Sequence, residues 1–146
     1  MMIYEMEYRH PVAKKTTIKM NPYSAAFQEK YKRMYNECYH EMREALHIEP
    51  YDFIQDDSFF ESGMDVVYLL TDQDDLIGSV ALKGNEIDDL IVNTRFQGCG
   101  YGRQILLWAL EHMNTERIFL HVAEWNKKAI HLYQKTGFEI VNTIII

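Results

Sequence analysis

The spacing of apolar residues along the chain changes between a period of two and a period of three to four. Short runs rich in Val and Ile are typical of strands, and longer runs with one apolar face are typical of helices. Strands are therefore predicted over Ile3–Tyr8, Thr16–Met20, Val66–Thr71, Leu76–Lys83, Glu86–Val92, Arg117–Ala123 and Phe138–Ile146. Helices are predicted from Ser24 to about His47, over Gly102–Met113 and over Asn126–Lys135, and the acidic segment Asp52–Ser62 is predicted as a short helix or a mobile loop.

The order of these elements predicts an α/β fold with a mixed sheet. The polar turns Asp72–Asp75 and Gly84–Asn85 join three consecutive strands into an antiparallel meander. After Val92, helices alternate with strands, which is the pattern of βαβ crossovers. A chain of 146 residues suits one domain, and we expect residues 1–146 to form it.

Composition excludes some classes of partner. The formal net charge of -7 argues against nucleic acid, which requires a basic surface. It is compatible with a cationic acceptor such as an amine, although such a charge also serves solubility alone. The chain lacks an apolar run of the ~18 residues that a membrane span requires, and the N-terminus does not resemble a secretory signal. Cys38 and Cys99 form no paired motif, which fits a reducing cytoplasm.

The segment Glu86–Glu111 places a β-branched strand, a glycine-rich turn and an amphipathic helix in succession. This order is typical of a phosphate-binding site, because glycines let backbone amides approach an anion and the helix N-terminus adds free N–H groups. Gly102 is followed by Arg103 and Gln104 rather than Lys and Ser or Thr, so the loop is not a P-loop. The glycine spacing also differs from the dinucleotide fingerprint.

The loop resembles the acetyl-CoA loop of the GCN5-related N-acetyltransferases, the GNAT family. Gln97, Gly100 and Gly102 match that family's pattern of Gln or Arg, two residues, Gly, one residue, then Gly or Ala. A second stretch resembles the family independently, through Leu120-His121-Val122, Asn126, Ala129, Tyr133 and Gly137-Phe138. The resemblance covers roughly residues 77 to 139. It implies the acyl-CoA N-acyltransferase fold, with a splayed pair of central strands, Glu86–Val92 and Arg117–Ala123.

The resemblance implies acetyl-CoA as cosubstrate, bound where the two central strands part. The pyrophosphate is expected on backbone amides from Gln97 to Arg103, and the pantetheine arm beside Val92. A backbone N–H near Leu90 or Ile91, where the strand bulges, is expected to stabilise the carbonyl oxygen. The cofactor-binding residues predicted in this way are Leu90, Ile91, Val92, Gln97, Gly98, Cys99, Gly100, Tyr101, Gly102, Arg103, Asn126 and Ala129.

Two residues are predicted to be catalytic. Tyr133 matches the family's tyrosine that donates a proton to the CoA sulfur, and the alternative is a tyrosine packed on the sheet. Glu86 lies at the offset where the histone-acetyltransferase branch has its base. Strict alternation places Asp88 on the same strand face as Glu86 and Asp89 on the other. The alternative is that Glu86 and Asp88 only form the solvent side of a strand.

The acceptor side is less defined. The family has two strands after the last helix and this chain has room for one, so the site is expected to be more open or to be completed by a second subunit in a homodimer. A small-molecule or peptide amine is expected as acceptor, and the acidic, aromatic stretch Asp52–Phe60 favours a cationic one. The six histidines show no ligand spacing, so no metal is predicted. A non-catalytic acyl-CoA sensor and a transferase of longer acyl groups remain alternatives.

Overall fold

A computed structural model describes residues 1–11, 15–61 and 63–146. Its strands are β1 Met2–Tyr8, β2 Asn21–Pro22, β3 Val67–Asp72, β4 Asp75–Lys83, β5 Glu86–Val92, β6 Phe119–Ala123 and β7 Phe138–Ile145. Its α-helices are α1 Gln28–Ala45, α2 Tyr101–His112 and α3 Lys127–Thr136. Short 3₁₀ turns occur at Ala25–Phe27, Asp57–Glu61, Met64–Val66 and Thr94–Phe96.

The strands form a single mixed sheet in the order β2-β3-β4-β5-β6-β1-β7. Strands β3, β4 and β5 are antiparallel neighbours, and β5 runs parallel to β6 through the crossover helix α2. The predicted meander followed by a crossover is therefore confirmed.

Strands β5 and β6 separate soon after they begin. Their register contains only Glu86 opposite Phe119 and Ile87 opposite Leu120. Beyond Ile87 the backbones diverge and leave a V-shaped opening in the middle of the sheet. This opening is the splayed strand pair predicted from the sequence.

The first strand occupies an unexpected position. Strand β1 lies between β6 and β7 and is antiparallel to both, with Glu5 opposite His121 on one side and Asn142 on the other. Its Met6 side chain is fully buried. The direct neighbour of β6 on this side of the sheet is therefore the N-terminal strand β1 rather than β7.

Each face of the sheet has its own apolar core. Helix α1 contacts β4 and β5 on one face, where Tyr31 and Met34 are almost completely buried. Helices α2 and α3 cover the other face, where Ile105 and Leu106 of α2 are fully buried. Below, the two faces are called the α1 side and the α2 side.

The structure differs from the prediction at Thr16–Met20. Thr16–Met20 is not a strand, because its polar groups bond to helix α2: the Thr16 amide donates to Glu111 Oε1 at 3.0 Å, and the Thr16 hydroxyl bonds to Gln104. The segment Asp52–Ser62, predicted as a short helix or a mobile loop, contains the short 3₁₀ helix Asp57–Glu61. Ser62 itself lies outside the described residues.

Candidate active site

A β-bulge lies at the mouth of the V. The register of β4 with β5 shifts between Ser79 and Ala81, so that Asp89 and Leu90 lie outside the pairing, and Asp89 has a φ of 46°. A bulge inserts one residue and resets the alternation of side chains. As a result, Asp88 and Asp89 both line the same pocket on the α1 side, and the prediction that Asp89 faces the opposite side is wrong.

The backbone of β5 after the bulge is not paired with β6. Leu90 is outside the β4 register, and neither Leu90 nor Ile91 pairs with β6. Backbone N–H groups that lack a strand partner are available to a carbonyl oxygen. Ile91 packs in the α1-side core, whereas Leu90 and Val92 pack on the α2 side.

Side chains hold the end of β5 and the entry to the loop. The carbonyl oxygen of Val92 accepts from Gln97 Nε2 at 3.0 Å and from Cys38 Sγ at 3.2 Å. The amide of Asn93 donates to the carbonyl of Ile77 at 2.8 Å. Gln97 therefore uses one donor of its side chain to fold the loop back on the strand.

The glycine loop leads directly into helix α2. Gly98 and Gly100 have φ of 79° and 86°, a left-handed conformation that glycine adopts without strain. The first intrahelical bond runs from the Gln104 amide to the Gly100 carbonyl, so the N–H groups of Tyr101, Gly102 and Arg103 have no helical acceptor. These three amides can hold an anion, and the exposed Cys99 has its place in the loop beside them.

The third helix carries the second half of the predicted site. Asn126 caps α3, with its Oδ1 accepting from the Ala129 amide at 3.3 Å. Tyr133 lies seven residues further along and is 8% exposed. Burial, and next the charge of Asp88, raise the pKa of the Tyr133 phenol to about 12. The phenol therefore keeps its proton at neutral pH, and it forms no hydrogen bond with any other described residue.

Glu86 lies at the start of β5, away from the bulge. Its Oε1 is 3.0 Å from Nδ1 of His121, whose Nε2 is 3.2 Å from Glu5. Arg117 in turn bonds to Glu5 and Glu7. Glu86 thus belongs to a charged network over β5, β6 and β1, and its role as base stays a prediction.

A pocket of about 530 Å³ opens on the α1 side and reaches the bulge. Its aromatic lining comes from Tyr31, Tyr35, Phe53 and Phe59, and its charged lining comes from Lys83, Asp88 and Asp89. The aromatic part of the predicted acceptor segment, Asp52–Phe60, thus reaches the site, while the acidic groups of the pocket come from the bulge.

The two neighbouring aspartates have different partners. Asp88 Oδ2 forms an ion pair with Lys83 Nζ at 3.0 Å, and Asp88 Oδ1 accepts from the Asp89 amide at 2.9 Å. Asp89 Oδ1 accepts from the Tyr39 hydroxyl of α1 at 2.8 Å. Burial, and next the charge of Asp88, raise the pKa of Asp89 above its ordinary value, against the opposing effect of the Tyr39 hydrogen bond.

The family profile described as Acetyltransferase (GNAT) family matches residues 26–138, more than half of the chain. The chain belongs to the GNAT family. Its mixed sheet with a splayed β5–β6 pair is the fold that this membership implies.

Named relatives of this GNAT protein act on amines. It is 40% identical over 53 residues to spermidine N(1)-acetyltransferase of Vibrio cholerae, covering 34% of this chain and 31% of that protein. It is 30% identical over 71 residues to the peptidyl-lysine N-acetyltransferase YjaB of Escherichia coli, covering 49% and 47%. These matches span less than half the length of either relative.

Solved structures share the fold. The solution structure of apo YjaB from Escherichia coli has a TM-score of 0.64 at 19% identity, over 87% of this chain and 86% of that one. The crystal structure of spermidine N-acetyltransferase from Vibrio cholerae, in complex with CoA and spermine, has a TM-score of 0.61 at 24% identity, over 82% and 79%.

Three residues at or near the bulge were not among the predicted site residues. Asp89 was assigned to the wrong face because a one-residue bulge leaves no trace in the alternation pattern. Tyr39 lies in the helix predicted from Ser24 to about His47, whose tyrosines were interpreted either as core or as a wall of the acceptor site, and Lys83 was predicted only as a strand end. Two adjacent aspartates, Asp88 and Asp89, directly precede the place where the resemblance predicts a bulge, near Leu90 or Ile91. That position could have directed attention to Asp89.

The described part of the chain contains no group of three or more His, Cys, Asp or Glu side chains arranged to hold a metal ion. None of the helices in the described residues combines the length and apolarity needed to cross a membrane.

Proposed function

We propose that this GNAT protein transfers an acetyl group from acetyl-CoA to a primary amine by direct attack in a ternary complex. The observation that carries the proposal is the bulge at Asp89 and Leu90, which stands at the junction of three features. The V opens beside it, the glycine loop follows it, and the pocket on the α1 side ends at it.

The residues around the V fit a CoA thioester. The free amides of Tyr101, Gly102 and Arg103 fit a pyrophosphate, since an anion at a helix N-terminus is stabilised by N–H groups and by the dipole. The backbone of Leu90, Ile91 and Val92 is open toward β6 and fits an extended pantetheine arm. The same proposal assigns cofactor contacts to the backbone from Gln97 to Gly100 and to Asn126 and Ala129.

The chain's own groups would carry the transfer as follows. A backbone N–H at Leu90 or Ile91 donates to the carbonyl oxygen as negative charge develops there. Tyr133, which keeps its proton at pH 7, donates to the departing thiolate from the α2 side. Neither cysteine is placed as a nucleophile at the bulge, because Cys38 bonds to the Val92 carbonyl and Cys99 is in the loop.

The acceptor that suits the pocket is a cationic aliphatic amine. The faces of Tyr35, Phe53 and Phe59 can contact an ammonium and its methylene chain, and Asp88 and Asp89 supply the opposite charge. The relatives named for spermidine and for peptidyl-lysine acetylation support this class. Both substrates present a primary ammonium on a flexible aliphatic chain.

The function is tested first by a thermal melt with saturating acetyl-CoA, with NAD and ATP as controls. Binding at about 100 times Kd adds about 2.7 kcal/mol of stability, which is a shift of several degrees in a domain of this size. Release of free thiol is then measured with spermidine, spermine and a lysine peptide as acceptors. A shift without thiol release would favour the sensor, and no shift with acetyl-CoA would contradict both.

A further inference from the structure

Three carboxylates lie at the α1 side of β5, and each has a different partner. Glu86 bonds to His121 at 3.0 Å, and Asp88 forms an ion pair with Lys83 at 3.0 Å. Asp89 accepts from the neutral hydroxyl of Tyr39 and, among the described residues, forms no ion pair. Of these three carboxylates, only Asp89 has no basic side chain within ion-pair distance among the described residues; Lys83 acts on it from further away and lowers its pKa.

We propose that Asp89 accepts the proton that the acceptor ammonium must lose before its nitrogen attacks the acetyl carbonyl. This inference rests on the proposed function. One proton passes from the ammonium nitrogen to the Asp89 carboxylate, and the freed electron pair forms the N–C bond. The nitrogen then loses its second proton to solvent, the C–S bond breaks, and the thiolate takes a proton from Tyr133. Solvent returns a proton to the Tyr133 phenolate, so that the products are the amide, the free thiol and the proton held by Asp89.

The bulge is what places Asp89 at the reacting centre. Its φ of 46° turns the side chain toward the α1 side, into the same pocket as Asp88. The next residue, Leu90, carries the backbone N–H proposed to hold the carbonyl oxygen. A base one residue away from the carbonyl donor stands beside the path of the attacking nitrogen, as proton transfer requires.

Contacts from two directions fix the orientation of Asp89. Tyr39 reaches it from helix α1, with the hydroxyl 2.8 Å from Oδ1, and Asp88 Oδ1 holds its amide at 2.9 Å. The Tyr39 phenol is itself buried, and burial raises its pKa well above the ordinary value, so it acts here as a donor.

Electrostatics suit the carboxylate to this role. Burial and the charge of Asp88 raise the pKa of Asp89, and a base whose pKa is closer to the working pH accepts a proton more readily. A protonated lysine-like amine has a pKa near 10.4, so only ~1 in 10³ is neutral at pH 7. The proton acceptor therefore matters most at and below neutral pH.

The test compares Asp89→Asn with wild type by the pH dependence of kcat/KM, with spermidine and an N-terminally blocked lysine peptide as probes. We expect a loss on the order of 10²-fold or more at pH 7, which shrinks toward pH 9.5 as the amine loses its proton unaided. Affinity for acetyl-CoA should not change. Asp72→Asn, at the exposed end of β3, is the matched control.

Other outcomes would overturn the inference. If Asp89→Asn lowers kcat/KM equally at every pH, the role of Asp89 is structural. If the acid limb, the fall of kcat/KM toward low pH, is unchanged in the variant, another group takes the proton. Glu86→Gln would then be expected to lose that limb instead. If the Asn variant does not fold, Tyr39→Phe serves, since removing the donor should move the acid limb to higher pH. Failure of wild type to acetylate either probe would refute the proposed function as well.

Discussion

The Tyr39 hydroxyl donates a hydrogen bond of 2.8 Å to Asp89 and so joins helix α1 to the bulge of strand β5. The contact connects residues 50 positions apart in the chain. Because the bond favours the charged carboxylate, it opposes the rise in the pKa of Asp89 that burial causes. The helix thereby holds a partly desolvated carboxylate at the centre of the sheet.

Keeping a charge at this position should lower stability, and Asp89→Asn should recover it. The folded-state pKa of Asp89 is raised, so the folded protein binds the proton more tightly than the unfolded chain. The Asp89 carboxyl therefore contributes favourably to the free energy of unfolding below the ordinary aspartate pKa. This contribution is lost as pH rises through the pKa of Asp89 in the folded protein. We therefore expect Asp89→Asn to raise Tm by a few degrees at pH 7, with the gain vanishing near pH 3. A lower Tm at pH 7 would contradict this.

The ion pair of Lys83 with Asp88 should compete with a cationic acceptor. In Lys83→Met the carboxylate is released, so KM for spermidine should fall several-fold while kcat changes little. The effect should weaken with added salt, because Lys83 is about half exposed. Lys135→Met, exposed in the last turn of α3, is the control. An equal change in both variants would show only a general effect of net charge.

Tyr133→Phe should separate turnover from binding. The change removes the proton donor and keeps the packing of the ring against Phe138. We expect kcat to fall on the order of 10²-fold while the Kd for acetyl-CoA stays the same. Tyr68→Phe, a partly buried tyrosine that packs on Trp108, is the control. Full activity in Tyr133→Phe would remove this residue from the mechanism.

Met6→Ala should show that β1 is an integral part of the sheet. Met6 is fully buried, and truncating such a side chain costs about 2–5 kcal/mol. Met2, at the other end of the strand, is 39% exposed, so Met2→Ala should cost well under that. Urea denaturation of the two variants measures the difference. Equal stabilities would mean that the strand is only loosely attached.

Gly137 is needed both for the end of α3 and for the approach of the chain after β1. Its φ is 118°, and a Cβ there would lie 2.1 Å from the His10 carbonyl oxygen. Gly137→Ala should therefore cost at least about 2 kcal/mol. Gly84→Ala carries a positive φ of 63° with open space around it, so it should cost only the conformational strain, roughly 1 kcal/mol. A similar cost in both variants would show that the contact with His10 relaxes.

Local pattern was enough to predict most of the elements and the family. The strand Glu86–Val92, the glycine loop and the helix after it are encoded by neighbouring residues, so periodicity and glycine spacing reveal them. Asn126 and Gly137 cap the two ends of α3, and residue type beside a helical pattern is again a local signal for both caps. The separation of strands β5 and β6 was predicted from the family resemblance, which covers both strands.

The tertiary structure alone decided the position of β1 and the identity of the acidic group at the site. Strand β1 reaches its place through pairing with β6 and β7, which lie more than a hundred residues away, and no local signal marks such partners. Asp89 depends on a single bulge residue, which reverses the face of the side chain without altering the sequence pattern. The sequence by itself determined the fold and the glycine loop, whereas long-range pairing and one backbone irregularity decided which side chains line the pocket.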